Sequence, residues 1–163
     1  MTTEEIAALI QENIKDCELE VNTKLPQHEI VVPADKIEEV CQFLKTDKTT
    51  FFDTLSCLTG LDNGPAKKSM EVLYHLYSIP NGYRLTLKVV LDREDPKLPS
   101  VTSVWKAANW HEREAWDLVG MKFENHPDLR RILSADDWIG HPLQKDYKEQ
   151  DTYHGITVKY EKD

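Results

Sequence analysis

The sequence predicts an α+β fold: a two-layer α/β sandwich of order α-β-β-α-β-β-β, followed by short helices and an extended, loop-rich C-terminal tail. Three observations carry this. Apolar residues recur at helical spacing in two early segments. Tyr83, Leu85, Leu87, Val89 and Leu91 alternate with Arg84, Thr86 and Lys88, the pattern of a strand with one wet face. Asn81-Gly82 separates that run from a second strand-like run, Glu71 to Ile79, and favours a type I′ turn in an antiparallel sheet.

In chain order, Thr2 with Glu5 forms a capping box, and Ile6, Leu9, Ile10 and Ile14 define an amphipathic helix over 3–15. Cys17 to Val21 and Glu29 to Val32 read as short strands joined by a turn at 24–27. Pro33 closes the second. A helix over 34–45 then buries Ile37, Val40, Cys41 and Leu44. Phe51 to Leu61 is a strand ending in a glycine-bearing loop. Ser100 or Ser103 can cap a short helix through Ala108. Asn109 as N-cap with Glu112 three residues on starts another, Trp110 to Val119, stopped by Gly120.

A chain of 163 residues and 18.9 kDa supports one core. Residues 1–99 are the sandwich, and 100–163 a helical segment with its tail, within a single domain. Hydrophobic residues make up 40% and charged residues 30%, with no run long enough to span a bilayer and no secretory leader at the start. A net charge of −9 argues against nucleic acid as a partner. Residues 1–63 hold 5 basic and 13 acidic side chains, whereas 64–163 hold 15 and 16, so the second part is the one expected to meet something.

Motifs for chemistry are mostly missing. Cys17, Cys41 and Cys57 have no spacing for zinc or an iron–sulfur cluster. Trp110-His111-Glu112-Arg113-Glu114-Ala115-Trp116-Asp117 lacks the second histidine of a zincin helix, and Glu112 and Glu114 point to different sides. Helix-start electrostatics and an i,i+4 surface pair of Arg113 with Asp117 account for that run. His126-Pro127 and His141-Pro142 hold each histidine extended, leaving a metal site with Asp146 as an alternative. Arg130 and Arg131 suit carboxylates on a neighbouring surface or within the domain. No phosphate loop, nucleotide fingerprint or nucleophile elbow is present. All four tryptophans and four of the six histidines fall between Trp105 and the C-terminus. Elimination leaves an interaction protein with an aromatic, arginine-bearing tail that wraps a neighbour or its own core.

Glu112-Arg113-Glu114, Asp117-Leu118-Val119 and, after six residues, His126, Arg130, Ile132 and Leu133 resemble the signature of the C subunit of respiratory complex I, the thirty-kilodalton subunit of NADH:quinone oxidoreductase. Ala107 to Trp110, His126 to Leu133 and Asp137-Trp138 to Asp146 resemble the same family. The match is tight over 100–147, and the N-terminal half agrees only in element order. One departure is Gln144, where the family often carries Arg; Gln144 supplies only a neutral hydrogen bond.

The resemblance implies a non-catalytic assembly subunit in the peripheral arm of a proton-translocating NADH:quinone oxidoreductase, on the cytoplasmic side of a bacterial inner membrane. It implies no catalytic, metal or cofactor site in this chain. FMN and iron–sulfur clusters would lie in partners, chiefly the D subunit at the quinone site and neighbouring iron–sulfur subunits. The interface candidates it implies are Trp110, Glu112, Arg113, Glu114, Asp117, His126, Pro127, Arg130, Arg131, Trp138, His141, Pro142, Lys145 and Asp146. On this reading the tail beyond Asn125 is mobile until neighbours bind. Alternatives are the homologous subunit of a membrane-bound hydrogenase or of a ferredoxin- or deazaflavin-dependent dehydrogenase, and a stand-alone metal enzyme using His126 and His141.

Overall fold

A computed structural model describes residues 1–24 and 26–159. The chain opens with α1, Thr3–Asn13, whose capping box is formed: Glu5 N–H donates to Thr2 Oγ1 at 3.2 Å, and Thr2 N–H donates to Glu5 Oε2 at 2.8 Å. β1 (Glu20–Asn22) pairs antiparallel with β2 (Glu29–Val31). The turn expected at 24–27 includes Leu25, which lies outside the described residues. A 3-10 turn at Ala34–Lys36 leads into α2, Ile37–Thr46, with Ile37, Val40, Cys41 and Leu44 buried as expected. Then follow β3 (Thr54–Asp62), β4 (Ser69–Ser78) and β5 (Tyr83–Asp92).

These five strands form one sheet of order β1-β2-β5-β4-β3. It is mixed rather than antiparallel, because β2 runs parallel to β5 with Ile30 opposite Leu87. Alternation in β5 reports which face is buried and is silent on which way a neighbour runs. α2 and the β3–β4 hairpin lie between β2 and β5 in sequence, and the chain returns in the same direction. Leu85, Leu87, Val89 and Leu91 are buried with the apolar faces of α1 and α2, so the two-layer sandwich stands. The opposite face is polar: Lys88 Nζ meets Glu29 at 2.9 Å, and Gln27 Nε2 donates to Thr86 Oγ1 at 2.7 Å.

The β4–β5 turn differs from the two-residue type I′ turn expected. Ser78 pairs with Tyr83 around a four-residue loop, Ile79-Pro80-Asn81-Gly82; of these only Gly82 has positive φ, and its N–H donates to Ser78 O at 2.8 Å. Pro80 explains this: its ring fixes a negative φ and seeds the longer loop. Asn81 turns its amide to the Thr50 carbonyl at 3.2 Å instead.

β6 (Lys97–Pro99) pairs with β7 (Lys122–Glu124), and α3, Ala108–Val119, lies between them. The helix expected from Ser100 or Ser103 is one turn, Trp105 N–H to Val101 O at 3.0 Å. α3 begins at Ala108 with Ala107 as its uncapped start, so the Asn109–Glu112 capping box does not form. Gly120 ends α3 at φ +95°, as expected. α3 packs on β3 where a Cβ on Gly60 would stand 2.9 Å from Met121 Sδ and 3.2 Å from Ala115 Cβ. A small hairpin, β8 (Thr152–Tyr153) with β9 (Ile156–Thr157), closes the described tail. Among the described residues no helix is long and apolar enough to cross a membrane.

Candidate functional site

The residues singled out by the sequence converge on α3, where the tail folds back. Asp117 is fully buried. Its Oδ1 accepts from Arg131 Nη1 at 2.6 Å, and its Oδ2 accepts from the N–H groups of Ile132, Leu133 and Ser134 at 3.0, 2.8 and 2.8 Å. Burial pushes this carboxyl up, but the three backbone donors and Arg131 outweigh it and hold it below the usual carboxylate range. The surface pair expected between Arg113 and Asp117 is therefore corrected. Arg113 instead donates to the carbonyls of Arg130 and Arg131, both at 3.1 Å, so helical spacing placed the two side chains on the same tail turn rather than on each other. Arg131 also reaches the carbonyls of Trp138 and Gly140 at 2.7 and 3.0 Å and lies 5.8 Å over the Trp116 ring.

The two His-Pro motifs bracket the helix. His126 Nε2 meets the Asn109 carbonyl at 3.1 Å, and its Nδ1 accepts from Asp128 N–H at 3.0 Å, an arrangement that requires the neutral Nε2–H ring. Burial lowers its pKa accordingly. At the other end, three carbonyls that a helix terminus leaves unpaired are each satisfied by the tail. Asp117 O accepts from His141 Nδ1 at 2.9 Å, Leu118 O from Leu143 N–H at 2.8 Å, and Val119 O from Gln144 Nε2 at 2.9 Å. Gln144 thus has an internal role as a cap.

Glu112 is buried inside the domain, far from the solvated helix start expected for it. Its Oε1 accepts from Val101 N–H at 2.7 Å, and its Oε2 lies 2.6 Å from Ser100 Oγ. Burial pushes its pKa to about 7, against these two bonds, which favour the ionised form. His126 Nε2 is 3.9 Å from Oε2, too far to pair while it bonds Asn109.

The tail is anchored once more on the sheet. Asp62 accepts from Arg93 Nε and Nη2 at 2.8 and 3.0 Å, from Gly64 N–H at 2.9 Å and from Lys145 N–H at 2.8 Å. Arg93 also pairs with Asp146, and its bonds hold the Asp62 carboxyl at about 2. Trp138 donates to Tyr147 Oη at 3.0 Å and packs on Tyr153. Residues 126–147 are thus tied to the chain's own α3 and sheet, the own-core alternative, rather than left unheld until neighbours bind; residues 160–163 lie outside the described residues. Replacing Asp62 with Asn should free 145–147 and destabilise the fold by about 2 kcal/mol, the scale of charged hydrogen bonds, read as faster proteolysis there. Sequence reasoning missed Asp62, Arg93 and Ser100; no local pattern marks their contacts with Glu112, with each other and with the tail, which span 12 to 83 residues.

Among the described residues no group of three or more His, Cys, Asp or Glu is arranged to hold a metal, and His126, His141 and Asp146 each serve the separate contacts above. What the tail leaves open is apolar. Trp110 and Leu133 are 69% and 65% exposed, and with Ile132, Lys106, His111 and Glu114 they line a groove of about 770 Å³. Arg130, exposed, pairs among the described residues with Asp128 alone, at 2.9 Å. Pro127 is exposed and Pro142 half-buried.

Residues 30–153 match the model of the family described as respiratory-chain NADH dehydrogenase, 30 Kd subunit. The NADH-quinone oxidoreductase C subunit of Chloroherpeton thalassium is 46% identical over 127 residues, 77% of this chain and 52% of that protein, so the chain spans about half the length of this relative. The C subunit of Chlorobium phaeobacteroides is 44% identical over 140 residues, 85% of this chain and 83% of that one. Among solved structures, a trypsin-resistant fragment of Nqo5 superposes with TM-score 0.58 at 35% identity, covering 77% of this chain and 95% of that one. A chain of the membrane-bound sulfane sulfur reductase, an archaeal respiratory membrane complex, gives TM-score 0.73 at 25% identity, covering 98% of this chain and 95% of that one. The signature that ties the tail to α3 and the family match point the same way: the chain belongs to the thirty-kilodalton subunit family of respiratory-chain NADH dehydrogenases, which includes the C subunits of NADH-quinone oxidoreductase.

Proposed function

We propose that this chain is a non-catalytic structural subunit in the peripheral arm of a proton-translocating NADH:quinone oxidoreductase, peripheral on the cytoplasmic side of a bacterial inner membrane. It holds no cofactor. Electrons pass from NADH through FMN and iron–sulfur clusters to quinone in its partners, chiefly the D subunit at the quinone site and the adjoining iron–sulfur subunits.

The observation that carries this is the contrast within the signature. Its polar members, Glu112, Arg113, Asp117, His126, Arg131 and His141, are satisfied inside the chain and build a rigid platform. The platform presents Trp110, Ile132 and Leu133 outward, and an exposed aromatic–aliphatic groove of this kind suits the buried centre of a permanent interface. The test is a double substitution, Trp110→Asp with Leu133→Asp, in the tagged full chain in native membranes. The variant should fold normally yet lose its co-purifying neighbours, with quinone reductase activity falling in step with assembled complex. Normal assembly with a selective loss of turnover would overturn the reading.

A second reading, that the parent complex draws on another electron donor, is favoured by the likeness to the sulfane sulfur reductase chain over 98% of the length. Assaying the purified complex with NADH and with reduced ferredoxin separates the two.

A further inference from the structure

We infer that the outer edge of β3 receives an extended segment of a neighbouring subunit, which joins the sheet as an added strand. This rests on the subunit reading above. β3 is an edge strand nine residues long, whereas the opposite edge, β1, has three. Four consecutive residues, Cys57, Leu58, Thr59 and Gly60, line one cleft of about 200 Å³. Side chains of a strand alternate between its two faces, so consecutive residues share a wall only through the backbone edge. The facing wall is one stripe of α3, His111, Glu114, Ala115 and Leu118, with Leu143 at the end.

The chemistry of that edge selects its occupant. Among the described residues, the backbone hydrogen bonds of Leu55–Leu61 run to β4, and no other element supplies a backbone partner. The outward N–H and C=O groups therefore form an unpaired row, and another backbone in extended form complements it. A helix has its backbone groups paired internally and would leave that row unsatisfied. The register shift between Leu55 and Cys57 twists the edge and limits pairing to the stretch beyond it. Over four residues that stretch is about 13 Å long. His111 and Glu114 line this cleft and the Trp110 groove alike, so the two form one continuous surface.

The experiment compares amide hydrogen exchange over 54–62 in the free full chain and in the intact complex, isolated from native membranes by a tag on this chain. Outward-facing β3 amides should slow by about a hundredfold or more in the complex, while those bonded to β4 change little. A photoreactive phenylalanine placed in turn at Cys57 and Thr59 should capture partner residues two apart in sequence. Captures three to five apart would mark a helix and overturn the proposal. Protection of 106–133 without protection of the outward β3 amides would also overturn it and leave the subunit reading standing. Recovery of the chain without any neighbour would instead sink the subunit reading. Outward amides already slow in a free chain of doubled mass would assign the edge to a second copy and overturn the proposal.

Discussion

Replacing Asp117 with Ala is expected to lower the unfolding free energy by about 3–5 kcal/mol, because it strands a buried guanidinium and three backbone N–H groups at once. At about 2–4 °C per kcal/mol for a domain of this size, the melting temperature should fall by roughly 6–20 °C. The loss should be local first. Amides over 130–146 should exchange faster in the variant, since Asp117 is the point on which Arg131 and the 132–134 turn both close. Arg130→Ala, which removes only an exposed pair with Asp128, serves as the control and should change stability by less than about 1 kcal/mol. Equal effects of the two substitutions would contradict the role assigned to Asp117. The same carboxylate shapes the acid limb. Asp117 and Asp62 both have folded values below those of the unfolded chain. Their contribution is therefore present above about pH 4 and is lost as pH falls through their folded values. Asp117→Ala should flatten that limb.

The contrast between Arg130 and Arg131 shows where sequence reasoning stops. As neighbours in sequence they looked alike, yet one is exposed and the other is the counter-ion of a buried acid. Helical spacing correctly placed Arg113 and Asp117 on one side of α3. It could not show that the tail, 14 to 18 residues on, would lie across that side and claim both. The sandwich was legible because burial imposes period: Ile37, Val40, Cys41 and Leu44 on α2, and odd-numbered Leu85 to Leu91 on β5, can each be satisfied by one face only. The β4–β5 turn was misread because Asn-Gly is a local signal and Pro80, just before it, overrode it. The direction of β2 against β5 is a contact between segments far apart along the chain, with α2 and a whole hairpin between them, and no local pattern encodes it. The site divides the same way. The signature picked the residues that build the platform, whereas Ser100, Asp62 and Arg93, which lock it down, carry no signal until the chain has folded.

Glu112→Gln tests the most local of these locks, whose partner Ser100 lies 12 residues away. In the folded chain the Glu112 carboxyl titrates near pH 7, against an ordinary value of 4.5. Between those two values the folded state keeps a proton that the unfolded chain has released. Stability from this group is therefore full below about pH 4.5 and declines as pH rises to about 7, after which it is level. The whole decline is on the order of 3 kcal/mol. His126 acts in the opposite sense. Its folded value is depressed below 6.5, so its contribution is present above pH 6.5 and lost as pH falls. In the natural chain the two slopes oppose each other near pH 6. Gln retains the carbonyl that accepts from Val101 N–H and offers an N–H to Ser100 Oγ, as the protonated carboxyl does. The variant should match the natural chain near pH 4.5, exceed it at pH 8, and show the rising slope of His126 unmasked below pH 6.5. Urea titrations at half-unit pH steps would measure both curves. Parallel curves across that range would mean that Glu112 is ionised throughout in the fold, its charge carried by Ser100 and the Val101 amide alone.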